Sequence, residues 1–79
     1  MNRKLVLFNL KEAKEELDRT IEAIEKDSRY GVAEYMVAMS HLYHHLNTAW
    51  NARRSSDRRA KNCSEKDFED WREFPKEFR

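Results

Sequence analysis

His41 and His45 stand four residues apart, and Glu34 precedes His41 by seven. On a helix these three fall along one line, because about 3.6 residues complete a turn. Two imidazoles and a carboxylate are the donor set of a three-ligand zinc or iron site. The run "HLYHH" has no glutamate between its histidines, so it lacks the general base of the metalloprotease helix. Nor does the chain contain the Glu-x-x-His pair of two-metal helical bundles. No cofactor is expected, and a divalent metal is the alternative this donor set would take. The competing reading has both histidines bordering an apolar face and hydrogen-bonding to neighbours.

Ser40, His44, Asn47 and Asn51 follow one another at offsets of four, three and four. That spacing makes a ridge of hydrogen-bonding groups on one side of a helix. Buried polar groups left without partners cost about 1–3 kcal/mol each. Such a ridge faces water, meets a matching ridge on a second copy, or meets a ligand. The reading adopted is an interface ridge whose polar groups fix register, as a buried asparagine does in a coiled coil.

The segment "RRSSDRRAKN" carries the third constellation. Arg53, Arg54, Arg58 and Arg59 lie close enough in sequence to contact phosphates or an acidic partner. No aromatic residue is interleaved for stacking on bases, and the acidic "SEKDFEDWRE" follows directly and can neutralise the patch. Nucleic acid is thus the weaker of the partner readings.

Nucleophilic chemistry has less support. Cys63 is the single cysteine, between polar residues. A nearby helix N-terminus would make it more reactive. Ser40 and His44 lie one helical turn apart without an evident oxyanion hole. The single glycine, Gly31, cannot build a phosphate-cradling loop. With no complete catalytic set, the chain reads as non-enzymatic.

These residues must be positioned by helices. One Gly and one Pro in 79 residues leave few turn signals, and abundant Ala, Leu, Glu, Lys and Arg favour helix. "FNLKEAKEELDRTIEAIEKD" predicts a first helix over about 9–26. Asn9 would cap it, Glu12 would close a capping box, and Phe8 would staple onto Ala13. Leu10, Ala13, Leu17, Ile21 and Ile24 form its apolar stripe, and Val6 would continue that stripe if the helix began earlier.

"KDSRYG" is a short break, with Asp27 or Ser28 as the next cap and Gly31 in the first turn. A second helix follows over about 29–53. Its broad apolar face carries Val32, Tyr35, Met36, Met39, Leu42, Tyr43, Leu46 and Trp50. Between Arg29 and Arg53 the only Asp, Glu, Lys or Arg is Glu34. A helix so poor in charge is expected to be covered on more than one side. A basic connector over 54–63 leads to a short third helix over about 64–74, capped by Ser64 and ended by Pro75. Phe68, Trp71 and Phe74 would fold back on the hairpin, and the last residues would fray.

The expected fold is one all-α domain over 1–79: an antiparallel hairpin of two long helices with a short C-terminal helix. A chain this small buries only about 60–65% of its unfolded surface, and domains without disulfides often gain stability by association. The expected partner is a second copy, giving a four-helix-bundle dimer, with a further protein partner as an option. No apolar run approaches the roughly 20 residues that span a bilayer, and "KEAKEELD" follows the apolar start where a leader would have small residues. The lone cysteine fits a reducing compartment, so the chain reads as cytoplasmic. The function expected is a small dimeric interaction or accessory protein. The alternatives are a metal-binding bundle using Glu34, His41 and His45, and a nucleic-acid accessory using the connector.

Overall fold

A computed structural model of the chain describes residues 1–56 and 73–78. Two long helices dominate: α1 (Arg3–Lys26) and α2 (Val32–Asn51), packed against each other and joined by five residues. A single 3₁₀ turn, Lys76–Phe78, follows later in the chain. No strand occurs among the described residues. The expected third helix lies almost wholly on residues outside those described; Glu73 to Pro75 are not helical.

α1 begins six residues before the expected first turn. Asn2, not Asn9, is its N-cap, and its Oδ1 accepts from the Leu5 amide at 3.1 Å. Asn2 also ties the two helices together. Its amide donates to the Arg53 carbonyl, and its Nδ2 donates to the Ser55 carbonyl at 2.9 Å. These bonds fix the start of α1 beside the end of α2, so the hairpin is antiparallel. Asn9 instead lies inside the helix and is 5% exposed. Its Nδ2 donates to the Leu5 carbonyl at 3.1 Å. With the cap moved back, Phe8 is no staple: it is exposed, while Ala13 is buried.

Asp27 ends α1. Its amide donates to the Ala23 carbonyl at 2.9 Å, and its Oδ1 accepts from the Arg29 amide at 2.9 Å. The chain then turns, with the Tyr30 amide donating to the Asp27 carbonyl at 3.0 Å. Gly31, rather than Asp27 or Ser28, is the N-cap of α2. Its amide donates to the Glu34 carboxylate at 2.8 Å, which is half of a capping box. A glycine has no side-chain oxygen with which to supply the other half.

The seam between the helices is built from small and polar side chains. On α1 it follows Asn9, Ala13, Glu16, Thr20 and Ala23, all buried or half-buried. On α2 it follows Ala38, Leu42, His45 and Ala49, and it ends at Ala52 just past the helix. The buried apolar residues of these two helices and the following turn are Ala13, Ala38, Ala49 and Ala52, and no large side chain among the described residues is fully buried. The stripe expected to fill the core lies one step around the helix from this line. Leu10, Leu17, Ile21 and Ile24 are 44–50% exposed. Alanines allow a close helix approach, and that approach leaves the bulky aliphatics on the flank.

Candidate interaction face

Of the exposed aliphatics, Leu10, Leu17, Ile21 and Ile24 of α1 and Leu46 of α2 share one side of the hairpin, while Leu7 and Val37 are exposed off it. In an antiparallel pair, turning the same way around each helix from the common seam leads to the same face. On α1 this turn leads to Val6, Leu10, Leu17, Ile21 and Ile24. On α2 it leads to Tyr35, Met39, Leu42, Leu46 and Trp50. Two recesses bridge the helices on this side. Near one end, Val6 and Leu10 meet Leu46, Ala49, Trp50 and Arg53. Near the other, Ile24 meets Tyr30, Val32 and Tyr35. Between them the face is apolar, with Leu17, Ile21, Tyr35 and Leu46 each 41–46% exposed. A contiguous apolar patch beyond a few hundred Å² on a small protein marks an interaction surface.

The polar ridge of α2 points away from this seam, and the structure separates its members. Ser40 is exposed, and its Oγ donates back to the Met36 carbonyl at 2.9 Å. His44 is half-buried, its ring 5.4 Å from that of His45. Asn47 is buried, at 8% exposure. The Asn51 Nδ2 donates to the Glu73 carbonyl at 2.8 Å. The returning C-terminal segment therefore lies on the far side of the last turns of α2. Phe78 packs on Trp50 with ring centroids 4.7 Å apart, and Pro75 is buried. The expected fraying of the C-terminus stops at this contact for the residues up to Phe78. The uncharged character of α2 is thus explained in part within one chain: the seam covers one side and the C-terminal return another.

Glu34, His41 and His45 have separate surroundings. Glu34 accepts from the Gly31 amide, His41 is exposed, and the His45 Nδ1 lies 3.4 Å from the Asn9 Oδ1 in the seam. Among the described residues, no group of three or more His, Cys, Asp or Glu is placed to hold a metal ion.

Of the basic patch, Arg53 is engaged and Arg54 is exposed. The Arg53 guanidinium stacks over the Trp50 ring at 3.9 Å and donates to the Trp50 carbonyl at 2.7 Å. Stacking on an aromatic face is a stabilising contact for a guanidinium. Arg58, Arg59 and Cys63 lie outside the described residues. The Thr48 Oγ1 and the Trp50 Nε1 are buried without a hydrogen-bond partner among the described residues.

No protein-family model, curated protein or solved structure matches the chain. Its function must therefore be argued from this geometry.

What sequence reasoning missed is the joint face. Both of its halves were visible as periodic stripes. The α1 stripe reads in sequence as a single line of Leu10, Ala13, Leu17, Ile21 and Ile24, of which the structure buries Ala13 and leaves the larger members half exposed. The signal that corrects this is the second, smaller stripe, in which Ala13 and Thr20 fall on the same line as Asn9. No helix among the described residues is long and apolar enough to cross a membrane.

Proposed function

We propose that this chain is a non-enzymatic interaction protein that works as a homodimer, two hairpins burying their apolar faces against each other in a four-helix bundle. The observation that carries the reading is the continuous apolar face beside a seam whose buried apolar residues are alanines. Large aliphatics contribute about 1.5–3 kcal/mol each when fully buried, against about 0.8 kcal/mol for a single methylene. Nearly half of the surface of Leu10, Leu17, Ile21 and Leu46 is still exposed in one hairpin, and a twin face would cover it. In that dimer Ser40, His44 and Arg54 stay on the outside, where a macromolecular partner would meet them.

The test is the mass of the protein in solution. Native mass spectrometry and sedimentation at micromolar concentration should give twice the chain mass. Leu17→Lys and Leu46→Lys should each return a monomer. A wild-type protein that stays monomeric at the highest soluble concentration overturns the reading.

A further inference from the structure

The charges of α1 are segregated along its length. Residues 1–14 hold Arg3, Lys4, Lys11 and Lys14 against the single carboxylate Glu12; residues 15–25 hold Glu15, Glu16, Asp18, Glu22 and Glu25 against Arg19 alone. A helix standing by itself favours carboxylates near its N-terminus and cations near its C-terminus. α1 has no acidic residue in its first turn. Lys26 in the last turn suits the dipole, but the basic first half and the acidic run after it are in the opposite order, and the ion pairs within α1 need no such segregation.

The segregated charges also border the apolar face. By helical position, Arg3, Lys11 and Lys14, then Asp18 and Glu25, run along the outer edge of the stripe from Leu10 to Ile24. All five are exposed. Lys14 and Asp18 pair with each other at 2.9 Å within α1, but α2 offers the edge no complement, because Glu34 is its only formal charge and is engaged by Gly31.

We infer that in the dimer proposed above, on which this inference rests, α1 lies antiparallel on the α1 of the second copy around a two-fold axis near Leu17. The basic half of each α1 then borders the acidic half of the other. A face-to-face pair of hairpins has two symmetric arrangements. A two-fold axis across the helices stacks α1 on α1, antiparallel. An axis along the bundle stacks α1 on α2 instead, which leaves both charged edges beside an uncharged helix. Only the first uses the segregation. Exposed charges of this kind choose orientation and speed encounter more than they add affinity, so the apolar face supplies the binding and the edges select the arrangement.

The experiment reverses each edge. Lys11→Glu with Lys14→Glu makes the edge beyond Arg3 acidic; Asp18→Lys with Glu25→Lys makes the whole edge basic. Each variant alone should dimerise at least about tenfold more weakly than wild type. An equimolar mixture should form the heterodimer, read by native mass spectrometry, with helicity checked by circular dichroism. Orientation is read by oxidation in a Cys63→Ser background. Leu17→Cys should crosslink to itself, and Leu10→Cys should crosslink to Ile24→Cys but not to itself. Should a reversed variant fail to fold, the wild-type dimer still answers, because its affinity should fall as salt rises. A dimer that ignores both edge reversal and salt, or that crosslinks Leu10→Cys to itself, overturns this arrangement while leaving the dimer standing. A monomeric wild type overturns both.

Discussion

At the start of α2 one hydrogen bond holds the cap, from the Gly31 amide to the Glu34 carboxylate at 2.8 Å. Gly31 has φ −121° and ψ −177°, an extended conformation open to any residue. A β-carbon there would sit 3.2 Å from the Glu34 Oε2, the mobile end of a side chain. Gly31→Ser should therefore complete the capping box and stabilise the protein by about 0.5 kcal/mol, while Glu34→Ala should destabilise it by about 0.5–1 kcal/mol. Urea denaturation with a chelator present measures both. If Glu34 served chiefly as a metal ligand, the Glu34→Ala loss would vanish in the chelator. The surface pairs behave differently. Asp18, 2.9 Å from the Lys14 ammonium, raises the Lys14 pKa above its usual 10.5, first by hydrogen bonding and then by charge. A group with a raised folded pKa contributes stability that is fully present below its unfolded pKa and lost as pH rises through the folded one. Lys14→Met should thus leave the shape of the stability profile unchanged from pH 6 to 9 and alter it only above about 10.5. A denaturation series across that range checks it.

Between the helices, packing turns on size. Ala49 is 6% and Ala13 4% exposed. Ala49→Leu should force the helices apart and destabilise the hairpin by about 1–3 kcal/mol, seen as a lower denaturation midpoint with helicity retained in the native baseline. The same elements show how far the sequence could be read. The two helices were legible, because apolar spacing, the "KDSRYG" break and the scarcity of Gly and Pro all agree. The cap of α1 was not. Asn2 and Asn9 are both good capping residues, and what decides between them is tertiary: Asn2 reaches Arg53 and Ser55 from the far end of the chain. Asn9 is freed to sit in the seam opposite His45. The seam itself was misread because periodicity reports that a stripe exists, not which of two neighbouring stripes meets the partner helix. Of the candidate residues, Asn47 and Asn51 were legible only as members of a polar ridge at helical spacing. Its covering by the C-terminal return needed coordinates, since nothing local marks Glu73 as a partner of Asn51.

For the molecule as a whole, the question is whether one hairpin folds by itself. Fixing the backbone costs about 1–2 kcal/mol per residue, and most of the stability of helices in proteins comes from tertiary packing. Against that, the two helices and the turn after them bury four alanines, along with Asn9, Asn47 and Thr48. If the apolar face is closed by a second copy, folding and association are one equilibrium, and the unfolding temperature depends on protein concentration. Tm followed by circular dichroism should fall by several degrees for each tenfold dilution through the micromolar range. Leu17→Lys places a charge at the centre of the face, so it should lose this dependence and show a low Tm at every concentration. A single hairpin stabilised within its own chain would give the opposite result: a Tm independent of dilution, and a Leu17→Lys change tolerated at a side chain already 45% exposed. The two outcomes differ clearly in size, because an exposed leucine replaced by lysine is near neutral in a monomer but buries an unpaired charge in the dimer.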